Sequence, residues 1–415
     1  MLRLRIWVRI LKDKLLFTVY KEYVMMARST DSEITELQFE PLTGESILGN
    51  MYVGRVENVV KNLNAAFVSY AKGEIAYLPL NEAESPFFTE TSGAGGSMPG
   101  SNKFPVKQGD NIVIQIVNEA IKTKQPKATA SFLNFTGRYA VLTYGKTGLG
   151  ISTKITDKNI RKLFSEEFER YLTDEYGILI RTNAANVEVE MVHNEIKALI
   201  KEAEYIKNTS GSRMHHTLLH AEEKSYITEL RNINLAEVSE IITDNEQIFK
   251  ELDEYAVKYE EAMAVKDIIT LKEPDYIKNV FGIETVIKHA FSERVWLKCG
   301  GYIVIQPTEA LTVIDVNSGK YVIKKNDTSE AAKRVNYEAC DMIAKQLKLR
   351  NLSGIILVDF IDMNDEERDN LLKYLRSKVE TDRVKTVVVD VTKLYLVEIT
   401  RKKIKKPIYE QLNLL

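Results

Sequence analysis

Cysteine is nearly absent from this chain. Cys299 and Cys340 are the only two in 415 residues, and they stand far apart, with no CxxC pair and no tight Cys/His cluster. That excludes a disulfide scaffold, argues against a thiolate zinc site within one chain, and suits a reducing cytoplasm. No apolar run approaches the roughly 18 residues of a membrane-spanning helix. The N-terminal MLRLRIWVRILKDKLLF is broken by charge every few residues and lacks the apolar core of a signal peptide. Its four basic residues before Asp13 read as a solvated extension or as contacts to RNA or lipid. Neither charge sign is in excess: 57 Lys and Arg against 59 Asp and Glu give a net charge of −2. A histone-like, globally basic protein is thereby excluded, but a basic groove balanced by acid elsewhere is not. There is no internal repeat. What remains is 44% hydrophobic and 28% charged, an ordinary soluble globular chain, and at roughly 150 residues per domain it makes two to four domains.

Hydrophobic patterning divides the chain. KLLFTVY and ITELQF, within residues 14–40, read as short strands. ILGNMYVGRV, AAFVSYA, EIAYLPL and NIVIQIV follow at the spacing of a small barrel. A Gly/Ser-rich stretch of about 20 residues, ESPFFTETSGAGGSMPGSNKF, forms a surface loop between the last two. The block looks like a five-stranded oligonucleotide-binding barrel. RYAVLTY and GILIRT read as strands, and VEVEMVHNEIKALIKEAEYIKN as an amphipathic helix. Residues 222–290 read as mainly helical, acidic and solvated. From residue 294, RVWLKCGGYIVIQPTEALTVIDVNSGK gives three strands. The helix DTSEAAKRVNYEACDMIAKQLKLR comes next, opened by an Asp327/Glu330 capping box, with Val335, Ala339, Met342, Ile343 and Leu347 on its apolar face. SGIILVDFIDM reads as a strand buried on both sides. The helix DEERDNLLKYLRSKVE and the strands of VKTVVVDVTKLYLVEITRKK complete an α/β layer.

Three constellations carry chemistry. Asp315 and Asp359 each interrupt an apolar strand, and an unpaired carboxylate in an apolar layer is costly unless it has a partner or faces a site. Asn317, two residues from Asp315, shares its face. Carboxylates on two adjacent strands suit Mg²⁺, which needs one or two of them and keeps waters for a substrate phosphate. The plainer alternative has Asp315 capping the Ser-Gly turn and Asp359 paired with a core lysine. Asp362 would face away from Asp359 if the strand continued, and reads as a helix-start acid. In the barrel, Phe67 and Tyr77 lie on neighbouring strands, with Arg55, Lys61 and Lys72 nearby and Lys124 and Lys127 at the far end. Aromatics stack bases and cations track phosphates, although a Phe in a small barrel is commonly core. Arg181-Thr182 ends the strand GILIRT, where a guanidinium and a hydroxyl can grip a terminal phosphate; most such pairs do nothing of the kind.

Taken together, GNMYVGRVENVV, AAFVSYA, AYLPL, GGYIVIQPTEALTVIDVNSGK, GIILVDFIDM and LVEITRKK resemble the ribonuclease E/G family of bacterial endoribonucleases, in family order and spacing from about residue 14 to 406. The resemblance implies an α/β multidomain fold. A ribonuclease H-like scaffold would come from residues 1–45 and 222–290, and an S1 RNA-binding (OB-fold) domain from 46–130. A 5′-sensor region would span 131–221, a DNase I-like catalytic subdomain 291–403, and a tail 404–415. It places the catalytic residues at Asp315, Asn317 and Asp359, with Mg²⁺ held by Asp315 and Asp359. The S1 aromatics fall on Phe67 and Tyr77, where relatives carry Phe at the second position, and the S1 lysine on Lys124 or Lys127. A 5′-monophosphate pocket would use Gly137, Val141, Arg181 and Thr182, completed by Lys385. The implied activity is cleavage of single-stranded, A/U-rich RNA to 5′-phosphate and 3′-hydroxyl ends, in ribosomal RNA processing and messenger decay in the cytoplasm.

The sequence departs from that pattern in two places. GISTK stands where many relatives carry two arginines, which predicts a weaker phosphate contact there. The CPxC-type pair that follows the TRKK-like segment in relatives, through which two chains share a zinc, does not occur before Leu415. The expectation is therefore no zinc and no zinc-linked dimer, which leaves open a homodimer through another surface. A DNase or phosphatase reading rests on fold analogy alone.

Overall fold

The computed structural model describes residues 13–42, 46–84, 106–118, 125–232, 237–258, 266–319 and 328–412. The basic N-terminal segment, all but the first residue of the Gly/Ser-rich loop, Lys124 and Asp327 of the proposed capping box lie outside these residues. The chain divides into two compact units, one of residues 1–44 and 235–415, the other of 45–234.

The first unit is built on two sheets. In one, Asp13–Tyr20, Tyr23–Thr30 and Glu33–Pro41 form an antiparallel meander, and Val238–Thr243 and Ile269–Leu271 add parallel strands on its far side. The segment 222–290, read as mainly helical, thus supplies two strands. β-Branched runs such as VSEIIT favour the pleated surface over the helix.

The second sheet runs in the order Arg294–Trp296, Tyr302–Pro307, Leu311–Asn317, Gly354–Asp359, Val397–Arg401, Thr386–Val391. Leu311–Asn317 and Gly354–Asp359 are parallel, joined by the helix Thr328–Leu349. Ile303, Ile305, Ile314, Val316, Ile356, Val358 and Ile399 pack on one face against Val335, Ala339, Ile343 and Leu347 of that helix and Leu371, Leu375 and Val379 of Asp365–Val379. Among the described residues the opposite face carries no helix of this layer. Gly354–Asp359 therefore alternates in burial instead of being buried on both sides: Ile356 and Val358 are buried, whereas Ile355 is 50% exposed. A continuous apolar run cannot reveal whether one or both faces of its strand are covered.

One end of this sheet, where three strands meet their connections, is tied down by a buried ion pair. Arg401 donates from Nε to Asp382 Oδ2 at 2.7 Å and from Nη1 to Asn351 Oδ1 at 2.7 Å and to the Leu352 carbonyl at 3.1 Å. The arginine of the LVEITRKK motif is thus a structural clamp.

The second unit contains the barrel. Met51–Val60, Ala65–Ala71, Glu74–Pro79, Lys127–Thr129 and Asn111–Asn118 pair in sequence round the ring, and Met51–Val60 closes it on Asn111–Asn118. The interior is Tyr52, Val56, Val68, Tyr70, Leu78, Ile112, Ile114 and Ile116. A four-stranded sheet follows, ordered Gly148–Ile151, Tyr176–Ile180, Ala140–Tyr144, Leu133–Thr136, with the helix Val189–Ser210 packed on it through Val192, Ile196, Leu199, Ala203 and Ile206. Gln115 links barrel to sheet, donating to the Asn134 carbonyl at 2.9 Å and accepting from the Asn134 amide at 2.8 Å.

Candidate active site

The strand pairing brings the two sequence-predicted carboxylates side by side. In the parallel pair, Asp315 is the register partner of Asp359. Their strands alternate in phase, so both side chains emerge on the helix-free face, and both are exposed. Asn317 lies two residues along the same face and donates from Nδ2 to Asp315 Oδ2 at 2.7 Å. The strand ends there because Gly319 turns back with φ +60°, and a side chain at that position would meet the Gly300 carbonyl oxygen at 2.5 Å. Partial desolvation against the sheet lifts the Asp359 carboxyl above its ordinary range, and the charges of Asp315 and Asp362 add to the lift. No core lysine pairs with Asp359 among the described residues.

Asp362 differs from its sequence reading. The strand stops at Asp359, and the next helix begins at Asp365 with Asn364 as its cap, accepting from the Glu367 amide at 2.9 Å. Asp362 lies in the connecting segment, exposed and close enough to act on Asp359. The strand does not continue as far as Asp362, so the alternation of faces does not apply to it. Among the described residues no group of three His, Cys, Asp or Glu side chains gathers as a metal cluster.

On the barrel, Phe67 and Tyr77 are direct cross-strand partners, with ring centroids 6.2 Å apart and planes at 70°. Both are half-buried and neither belongs to the barrel interior, so they form an aromatic pair open to the barrel surface. Lys127 is the register partner of Tyr77, and its Nζ bonds Glu82 Oε1 at 2.7 Å. Lys124 falls outside the described residues.

In the same unit, Arg181 follows the strand Tyr176–Ile180 and reaches across its neighbour. Its guanidinium donates to the Gly137 carbonyl and to Asn232 Oδ1, and its amide donates to the Tyr139 carbonyl at 2.7 Å. Val141 is the partner of Leu179 in the adjoining strand. The Thr182 hydroxyl meets the Ser152 hydroxyl at 2.9 Å, and Ser152 is in the GISTK segment. Gly137, Val141, Arg181 and Thr182 thus gather at one end of the sheet. Lys385 is exposed in the other unit, just before the strand Thr386–Val391.

A residue the sequence reading missed completes this cluster. Glu195, from the helix Val189–Ser210, accepts the backbone N–H groups of Arg138, Tyr139 and Ala140 at 2.6, 2.7 and 2.8 Å. Burial pushes its carboxyl up, while those three donors and the Arg181 charge pull it back toward ionisation. A Cβ on Gly137 would sit 2.4 Å from the Glu195 carboxyl carbon, so only glycine leaves room for it. The available signal was a carboxylate on a helix's apolar face: Glu195 sits at the spacing of Val192 and Leu199.

Comparison with known proteins gives the family of the chain. The model of the ribonuclease E/G family matches residues 134–404. The chain is 30% identical over 374 residues to ribonuclease E of Synechocystis sp., covering 89% of this chain and 54% of that protein. It is 31% identical over 392 residues to ribonuclease G of Escherichia coli strain K12, covering 90% and 76% respectively. Ribonuclease E of Nostoc sp. is 30% identical over 398 residues, with 94% and 56% covered. The chain therefore spans about half the length of these ribonuclease E relatives and three quarters of the ribonuclease G. On the family match and these identities, the chain belongs to the ribonuclease E/G family.

Proposed function

We propose that the chain is an Mg²⁺-dependent endoribonuclease that cuts single-stranded, A/U-rich RNA and prefers 5′-monophosphorylated ends. The observation that carries this reading is the register pairing of Asp315 with Asp359, with Asn317 bonded to the first. Two exposed, mutually repelling carboxylates on one open sheet face form a donor set that fits Mg²⁺, which takes few protein ligands and retains waters. Bound by Asp315 and Asp359, the ion would supply charge stabilisation at the phosphoryl group and activation of a water. Asn317 fixes the Asp315 carboxylate through its amide. In the reaction, water oxygen adds to phosphorus and the P–O3′ bond breaks, leaving a 5′-phosphate and a 3′-hydroxyl.

Phe67 and Tyr77 stack bases, and Lys124 or Lys127 meets the RNA backbone. Arg181, Thr182 and the loop from Gly137 to Val141 receive a terminal monophosphate. The architecture assigned is a ribonuclease H-like scaffold from 1–45 and 222–290, an S1 domain at 46–130, the sensor at 131–221 and a DNase I-like subdomain at 291–403. The roles are ribosomal RNA processing and messenger decay in the cytoplasm. Among the described residues no helix is long and apolar enough to cross a membrane.

The test is a short A/U-rich RNA with a 5′-monophosphate, incubated with wild type or Asp359→Asn, each with Mg²⁺ or EDTA. Internal cleavage by wild type with Mg²⁺ alone supports the reading. Binding without cleavage in every arm would replace it with an RNA-binding family member lacking nuclease activity.

A further inference from the structure

The open face of the catalytic sheet carries a second group of side chains in line with the carboxylates. Residues opposed across neighbouring strands share a face. Arg294 pairs with Val304, Val304 with Asp315, and Asp315 with Asp359, so these four form one row across the sheet. Trp296 pairs with Tyr302 and Tyr302 with Asn317, which makes the next row on the same face. With neighbouring strands about 4.8 Å apart, Trp296 and Arg294 stand roughly 10 Å from Asn317 and Asp315.

The three outer side chains are organised. The Trp296 and Tyr302 rings meet edge to face, with centroids 5.3 Å apart, and the Arg294 guanidinium lies 4.5 Å from the Tyr302 centroid and 5.9 Å from that of Trp296. Trp296 nevertheless remains 56% exposed. A large ring held in place by a neighbour, with much of its surface still in water, is prepared to bury that surface against a ligand. Among the described residues no carboxylate forms an ion pair with Arg294, so its charge is available to a phosphate.

We infer that Trp296 and Tyr302, with Arg294 beside them, form a nucleobase-stacking subsite that fixes a nucleotide next to the phosphate cut at Asp315 and Asp359. The occupant is one base of single-stranded RNA: the aromatic edge takes its π face, and Arg294 takes the adjoining phosphate. This rests on the endoribonuclease reading above. Trp296 is a positioning residue with no part in bond cleavage.

Trp7 and Trp296 are the chain's two tryptophans, so Trp7→Phe leaves Trp296 as the sole indole reporter. In the Trp7→Phe/Asp359→Asn chain, titration with an A/U-rich oligonucleotide should quench Trp296 emission in step with binding measured by anisotropy. Trp296→Ala should lower kcat/KM by roughly fivefold or more, the low end for losing one stacked base, and Trp296→Phe should restore most of it. An abasic position beside the cleaved bond should slow wild type and leave Trp296→Ala little changed. Thermal melts of both variants separate a lost contact from a loosened sheet edge. Saturable binding with unchanged emission, or normal cleavage by Trp296→Ala, would overturn the subsite and leave the nuclease reading intact. Failure of the unaltered chain to bind or cut RNA would overturn both.

Discussion

Replacing Asp315 by Asn should make the protein more stable and at the same time inactive. Asp315 and Asp359 are register neighbours with both carboxylates exposed. Two unit charges about 5 Å apart repel by roughly 1 kcal/mol in water and roughly 3 kcal/mol at an effective dielectric of 20. Exposure puts this pair at the lower end, about 1 kcal/mol. The Asn carbonyl can still accept from Asn317 Nδ2, so the local hydrogen bond survives the change. Without divalent ions the variant should therefore melt about 2–4 °C above wild type. With Mg²⁺ at ten times its dissociation constant, wild type gains about 1.4 kcal/mol by linkage, and the variant, with one carboxylate left, gains much less. The order of melting temperatures should then close up or reverse. The pH dependence has a definite sign. The Asp359 carboxyl is raised by partial desolvation first and then by Asp315 and Asp362. Folded protein therefore holds the proton to higher pH than unfolded chain, and metal-free stability falls as pH rises through the interval between the two values. Asp315→Asn should narrow that interval. Calorimetry with EDTA and with Mg²⁺, alongside cleavage of the monophosphorylated RNA, reads all of these. A variant that melts lower in EDTA, gains as much from Mg²⁺ as wild type, or still cuts RNA would refute the argument.

Phe67→Ala should weaken binding of single-stranded RNA by about 1–3 kcal/mol with a small change in melting temperature, measured by anisotropy and calorimetry; a large stability loss at unchanged affinity would make the ring a packing element. Arg181→Gln should erase any preference for a 5′-monophosphate over a 5′-hydroxyl in paired cleavage assays, and an unchanged ratio would place the sensor elsewhere. Glu195→Gln should destabilise the second unit by about 1–3 kcal/mol, because an amide cannot accept from three backbone donors as a carboxylate does, and hydrogen exchange should show faster opening at residues 138–140. Unaltered exchange there would mean that the loop holds its shape without Glu195.

The candidate carboxylates were more legible in the sequence than their setting. A carboxylate in TVIDVNSG and another in IILVDFIDM are visible as charges set into apolar strands, and period-two spacing puts Asn317 on the face of Asp315. The register between strands separated by a whole helix is a long-range property and is not written in either segment. The same limit explains Ile355: periodicity identifies its strand, but only the placement of the helices shows that one face stays open. Glu195 was hidden for another reason. Its partners are main-chain N–H groups, which leave no residue-type signature, and a glutamate in a helix ordinarily reads as solvated. Trp296 has no distinguishing mark within RVWLKCGG; only the strand pairing puts it in line with Asn317.

The parallel register of Leu311–Asn317 against Gly354–Asp359 has a further consequence. Successive strand residues point to opposite faces, so a slip of one position would send one carboxylate in among Val335 and Leu375 and leave its mate alone in water. No partial version of the pair survives a slip of one position. Under the proposed function, RNA cleavage would therefore double as a readout of correct strand alignment: a population that has refolded compactly but one position out of step would show native helix content and no cleavage, and specific activity would count the correctly threaded molecules.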